Sequence, residues 1–515
     1  MAGERGSQPA PFEGAALALI TVSLALAVFM NVLDTSIANV SVPTIAGDLA
    51  VSADQGTWII TSFAVSNAIA VPLTGWLARR FGEVRLFVVC TLLFTLTSWL
   101  CGLSFTFPML LLMRTAQGAV AGPMIPLSQS LLLANYPSEK RGLANGIWGM
   151  TAVVGPVAGP ILGGWITDNM SWSWIFYINI PVGIAAALIT WMMLKDRETE
   201  TARLPIDVIG LSLLIVGVSC LQIMLDKGND AGWFQSEFII VMTILAVIAF
   251  AFFIVWELTD DNPVVDLSLF GLRNFTIATT VVTVGFMVYF GGVVVFPLWL
   301  QTQMGYTATW AGIATSSLGM AGIIASPVVG RLTDKIDVRI IVTVGMLIFS
   351  TISFYNAGMS TQASFSELFL PRLPWGIGLA CFFIPLITLS LSEIPPSRVA
   401  SASGLFNFMR LIALALGTSL SQMVWDNRES LHDHRLSAGL SMLDPVTRQA
   451  LAQAEAAGLS RLEALKSLSQ TITRQAYMLA TNDIFWLSGW LFLGLIVLVW
   501  FSRSSAAARA DAEAR

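Results

Sequence analysis

Charge is scarce in this sequence of 515 residues. Asp, Glu, Lys and Arg make up only 11% of it, while hydrophobic residues reach 55%. An ordinary globular domain carries about a quarter charged residues. So few charges cannot cover the wet surface of several soluble domains, which the length alone would suggest. They suffice where most of the surface faces lipid. Histidine is almost missing. His432 and His434 form an H-x-H pair in a polar stretch, and two ligands without a third make no metal centre, so a solvated loop and no metal are expected. The four cysteines, Cys90, Cys101, Cys220 and Cys381, all fall in apolar runs. Cys90 and Cys101 share one helix at about 16 Å, too far to bridge, and all four read as buried free thiols. H-E-x-x-H, G-x-S-x-G and P-loop patterns are absent. With no soluble catalytic or binding domain attached, a membrane enzyme or receptor is the weaker reading.

Long apolar runs are what the chain has in quantity. Val208 to Leu225, Phe238 to Trp256 and Ile341 to Ser366 contain no charge. About 20 mainly apolar residues cross a bilayer, and in lipid such runs satisfy their backbones only as helices. Fourteen runs qualify, beginning near Ala15, Thr57, Leu86, Phe107, Leu143, Ser173, Ile206, Ser236, Phe275, Thr309, Ile340, Leu368, Val399 and Asp483. The first lacks the flanks of a cleaved signal and reads as a span. Positive charge collects in short cytoplasmic loops. Placing both termini inside gives the inner loops Arg79, Arg80, Arg85, Lys140, Arg141, Lys195, Arg197, Arg203, Arg273, Arg331, Lys335, Arg339 and Arg398, and leaves the short outer loops Lys227 alone.

The two halves repeat. Gly75-Trp-Leu-Ala-Arg-Arg-Phe-Gly-Glu-Val-Arg85 recurs as Gly330-Arg-Leu-Thr-Asp-Lys-Ile-Asp-Val-Arg339. Arg114-x-x-x-Gly118 recurs as Arg372-x-x-x-Gly376, and Pro137-Ser138 as Pro396-Ser397, at offsets of 255, 258 and 259 residues. Three matches in order at nearly one offset indicate a duplicated unit, a mark of transporter folds with a site at the repeat interface. The offset places the seventh and eighth runs between the copies. The expected fold is an all-α membrane protein of two six-helix bundles with two extra transmembrane helices inserted between them. The expected division is a tail over 1–14, a bundle over 15–197, an inserted pair over 198–272, a second bundle over 273–502 with a long periplasmic loop over 425–482, and a tail over 503–515.

These motifs carry a family resemblance. Leu33-Asp34-x-x-Ile-Ala-Asn39, the Gly75 to Arg85 stretch, Arg114-x-x-Gln-Gly118, Gly155-Pro-x-x-Gly-Pro-x-x-Gly-Gly164 and Trp172-x-Trp-Ile-Phe-x-Ile-Asn179 resemble the major facilitator superfamily. Within it they resemble the fourteen-span drug:proton antiporters. The resemblance implies a proton gradient as energy source and no cofactor. It also implies export of hydrophobic or amphipathic compounds across a bacterial inner membrane, with a periplasmic adaptor and an outer-membrane channel as partners. It gives the loop motif of Gly75, Arg79, Arg80, Gly82 and Arg85, with its copy Gly330, Asp334, Lys335 and Arg339, a latching role on the cytoplasmic side. The family's usual acid is replaced by Arg79, so the latch is expected to reside in Asp334 or to work differently.

An acid inside an apolar run is costly and usually faces the bundle interior. Asp34 is therefore the candidate proton-coupling group; the alternative puts it near the outer end of its helix, in headgroup water. Arg114, a buried cation in need of a partner, joins it. Gly155, Gly159 and Gly163 recur every four residues on one helix face, with Pro156 and Pro160 in step and Gly164 beside them. Small residues let helices approach closely, so this face is expected to rock against the other half. Asn31, Gln117, Gln129, Tyr289, Phe290, Arg372 and Arg410 are candidates for a substrate cavity. The aromatic crowd of Phe286, Tyr289, Phe290, Phe296 and Trp299 is otherwise expected to face lipid. Val446 to Leu468 reads as an amphipathic helix or hairpin. Export of one defined metabolite, such as a siderophore, fatty acid or amino acid, fits the same residues.

Overall fold

The computed structural model describes residues 12–202, 205–438, 440 and 445–503. Arg203, the tails beyond those limits and the side chains of Pro156, Pro160 and Val446 lie outside the described residues. All regular structure described is helical. The first half contains α1 (Gly14–Asp48), α2 (Trp58–Ala70), α3 (Thr74–Phe81), α4 (Glu83–Gly102), α5 (Phe107–Ala121), α6 (Met124–Asn135), α7 (Arg141–Asn169) and α8 (Asn179–Leu194). An inserted pair follows, α9 (Val208–Lys227) and α10 (Glu237–Thr259). The second half contains α11 (Arg273–Thr302), α12 (Ala308–Thr333), α13 (Val338–Asn356), α14 (Arg372–Ser390), α15 (Val399–Ala438), α16 (Pro445–Ala456) and α17 (Arg461–Trp500).

Local chemistry sets the boundaries. The α5 N-terminus is capped by Thr106, α9 by Asp207 and α12 by Thr307; each side-chain oxygen accepts from a backbone N–H that has no partner within the helix. Pro72 cannot donate to a helical ladder, and α2 and α3 are bent by 61° at that break. Among the described residues, eleven helices are long and apolar enough to cross a membrane, or twelve with the bent pair counted as one. The remaining two expected runs are helical too, as α5 with α6 and as α7.

The duplication is visible in the packing. In the first half α1 lies against α7 and α8, α2 against α5, and α4 against α8 and α5. In the second, α11 lies against α15 and α17, α12 against α14, and α13 against α17 and α14. The halves meet where α7 packs on α12 and α14, and where α15 packs on α3 and α6. Large apolar side chains such as Phe252, Leu258 and Ile324 are exposed around the outside, as a lipid-facing surface requires. The aromatic crowd of α11 departs from expectation: Phe286, Tyr289, Phe296 and Trp299 are buried. Phe286 packs on Phe382, Tyr289 on Phe349 and Trp375, and Phe296 on Trp299.

The described part of the stretch 425–482 is mostly helical. α15 continues to Ala438 and α17 begins at Arg461, where Ser460 and Glu463 form a capping box. The two helices run side by side, zipped by Trp425 Nε1 donating to Thr481 (2.9 Å) and by Arg428 and His432 against Asp483 (2.6 Å each). His432 therefore has a carboxylate partner rather than a free place in solvent.

The start of α1 and the end of α17 sit at the same end of the bundle, called here the terminal end. There Arg197 stacks on Phe12 at 3.6 Å, and Asn274 Nδ2 donates to the Arg503 carbonyl. Arg339 bonds Asp337 at 2.7 Å and holds that carboxyl below its usual range.

Candidate functional site

Asp34 is the acid the apolar core of α1 isolates. It is 2% exposed, which rejects the headgroup-water alternative. Its Oδ2 lies 2.6 Å from Arg114 Nη1 of α5. Arg114 is itself fully buried, and at that depth an unpaired charge is prohibitive. The rest of the shell completes the pair. Gln117 Nε2 donates to Asp34 Oδ1 (3.1 Å) and to Ser98 Oγ (2.9 Å), and Gln117 Oε1 accepts from Arg114 Nη1 (2.7 Å). Asn179 Nδ2 donates to Asp34 Oδ1 and to Ser98 Oγ, both at 2.9 Å. Arg114 Nε donates to the Ile59 carbonyl at 3.2 Å, and its guanidinium lies 4.3 Å from the Phe63 ring. Side chains of α5 and α8 thus bond the carboxylate of α1, and α2 and α4 hold those side chains in place.

The glycine face of α7 lies against α1, not against the other half as its spacing suggested. A Cβ at Gly155 would meet Val32 at 2.5 Å, at Gly159 Ser36 at 2.3 Å, and at Gly163 Ile37 at 3.3 Å, whereas Gly164 has open space. Spacing establishes a smooth face but not the helix it meets. These contacts bracket Asp34, so α7 presses on the helix that carries the acid. Replacing Gly159 by Val should push α1 from α7 and cut transport at least tenfold with the protein still inserted; transport rates beside membrane protein levels check this.

Contact with the other half belongs to the first turns of α7. Asp334 Oδ1 accepts from Gly142 N (2.8 Å) and Oδ2 from Leu143 N (3.2 Å). A carboxylate at a helix N-terminus is favoured by the dipole there. Gly146 and Gly330 touch backbone to backbone, and a Cβ at Gly330 would sit 2.6 Å from the Gly142 carbonyl. Gly75 of α3 packs on the Ser401 side chain. Arg79 and Lys335 are exposed, and Arg80 lies over Trp76 at 5.4 Å. Gly82 has φ +87, and the backbone N–H groups of Val84 and Arg85 donate to Glu198.

The cavity candidates disperse. Asn31 Nδ2 donates to the Ala121 carbonyl, which ties α1 to α5, and Gln117 belongs to the Asp34 shell. Gln129 accepts from Ser403 and donates to Asn145, which in turn donates to Thr388; this chain clasps the two halves. Phe290 and Arg410 are half-buried, stacked on Phe286 and over Phe383 respectively. Arg372 is walled in by Phe296 (3.4 Å), Trp375 (4.6 Å) and Phe485 (5.9 Å), with Tyr289 nearby. Its Nε and Nη2 have no hydrogen-bond partner, and among the described residues no carboxylate pairs with it. The offset of 258 that carries Arg114 to Arg372 carries Asp34 to Gly292 and Gln117 to Trp375. A Cβ at Gly292 would meet Trp375 and Phe485, so the second copy has aromatic rings where the first has its acid.

Two duplicated helical bundles, with one ion pair sealed inside the first, define a secondary transporter. Residues 24–418 match the Major Facilitator Superfamily. The chain belongs to that superfamily, and is a multi-pass inner-membrane protein. It is 50% identical to the multidrug export protein EmrB of Haemophilus influenzae, over 96% of this chain and 97% of that one. It is 46% identical to the fatty acid resistance protein FarB of Neisseria gonorrhoeae, over the same shares. The proton:xylose symporter XylE, at 16% identity, shares the fold with a TM-score of 0.58 over 95% of this chain and 96% of its own.

Proposed function

We propose that this chain is a drug:proton antiporter that exports hydrophobic and amphipathic toxic compounds. The observation that carries the reading is the sealed Asp34–Arg114 pair at 2.6 Å. A group of this kind binds a proton from the outer side and gives it up inside, and the gradient then drives substrate the other way. The relatives' names support multidrug export. In this reading the chain spans the membrane fourteen times, as bundles over 15–197 and 273–502 around the inserted pair, with the terminal end in the cytoplasm. The state described is closed there by Asp334, Gly142, Gly146 and Gly330. Export of a single metabolite is the second reading, and the name of the Neisseria relative favours a fatty acid for it.

The hairpin of α15, α16 and α17 would reach into the periplasm. We assign it to docking an adaptor of the EmrA membrane-fusion kind, which hands substrate to a TolC-like outer-membrane channel. Inverted vesicles should accumulate several unrelated dyes when a proton gradient is imposed; accumulation of only one compound class would select the metabolite reading. Replacing the hairpin tip, 436–470, by a short flexible loop should leave vesicle transport intact and abolish resistance in cells. Undiminished resistance would remove the docking role.

A further inference from the structure

A second site lies on the outside of the first half. α1, α7 and α8 enclose a cleft of about 430 Å³, within the size range of small-molecule sites. Phe29, Leu33, Leu162 and Trp165 are among its walls, and Trp174 stands at its rim. Trp165, Trp174 and Leu162 are exposed on the surface of the bundle that faces lipid. No charged side chain lines it. The one polar residue in the wall is Asn179, which is buried and spends its amide on Asp34 and Ser98.

From this geometry we propose that the cleft binds the alkyl chain of a single-chain amphipath dissolved in the bilayer. What reaches the open side has partitioned into lipid. A lining this apolar accepts a chain and rejects a polar headgroup, which would stay at the rim beside Trp165 and Trp174, where such rings favour the membrane interface. The inner wall is one hydrogen bond from Asp34, so the chain would lie against the shell of the charge centre. This site differs from the gap between the halves. It rests on the export reading only for its consequence in transport.

Two measurements test it. Dodecanoic acid carrying a diazirine at its terminal carbon should, on illumination in membranes, attach to peptides containing Phe29 to Leu33 and Ile178 to Val182. Excess plain dodecanoic acid should compete, and Leu162→Trp, which fills the cleft from its exposed side, should remove the adducts. In vesicles the same variant should raise KM for dodecanoate roughly tenfold, equivalent to about 1.4 kcal/mol, and leave KM for the rigid dye ethidium unchanged. Adducts spread evenly over the lipid-facing helices, or unaltered in Leu162→Trp, overturn the site. A wild-type protein that moves neither compound defeats the antiport reading, while the adduct pattern still decides the cleft.

Discussion

Asp34→Asn should reduce proton-driven efflux in inverted vesicles to background while the protein still reaches the membrane. The substitution keeps the shape of the side chain and one oxygen to accept from Gln117 or Asn179. It removes the only atom in that shell able to cycle a proton. It also leaves Arg114 without a counter-charge. Breaking a buried pair from one side costs about 3–5 kcal/mol, but here the Ile59 carbonyl, Gln117 and the Phe63 ring still hold the guanidinium. The fold should therefore survive a loss that transport does not. Substrate exchange without a gradient separates the two effects, since it needs alternation of the halves but no net proton movement. Efflux equal to wild type in Asp34→Asn would take the coupling role from this residue.

Gly330→Val should trap the halves apart at the terminal end and stop transport altogether. The added carbons would meet the Gly142 carbonyl and the Gly146 Cα, at 2.6 and 2.9 Å from the Cβ alone. Backbone cannot turn aside as a side chain can, so the closed contact is lost rather than strained. Overpacking typically costs about 1–3 kcal/mol. A cost of that size at the Gly142, Gly146 and Gly330 contact is enough to shift the closed population, because about 1.4 kcal/mol is tenfold. A cysteine placed at Ser403, now buried beside Gln129, should become reactive to a reagent applied from the terminal side. Asp334→Ala should shift reactivity in the same direction by less, as it removes a cap worth about 0.5–2 kcal/mol. An unreactive Ser403→Cys in both backgrounds would mean that this contact is no gate.

The charged pair was legible because charge in an apolar run is too costly to be incidental. Asp34 and Arg114 each stood out alone, and the structure joins them. Asn179 and Gln117 lay inside recognisable motifs, yet nothing in their spacing indicated that both amides point at one carboxylate. Ser98 carried no signal, since a serine in a helix commonly bonds its own backbone, and the Ile59 carbonyl has no letter in a sequence at all. The α7 glycines illustrate another limit: a four-residue period defines a smooth face but not its neighbour, and the neighbour proved to be α1. The Gly142–Gly330 contact between the halves depends on two residues 188 positions apart, which no local pattern relates. Within 425–482 the amphipathic pattern after Val446 indicated a helix or hairpin, but the continuation of α15 and α17 as helices beyond their apolar runs had no local signal, since a helix leaving the membrane needs no apolar face all round.

The unequal halves have an electrical consequence. With Gly292 at the position that Asp34 occupies in the first copy, the second copy has no acid there. In the proposed antiport cycle, with Asp34 as the sole carrier, one proton would enter for each molecule that leaves. Expelling an uncharged compound carries net current inward, so voltage and acidity both assist. Expelling a monovalent cation carries none, and acidity alone sets how steeply the cargo can be concentrated outside.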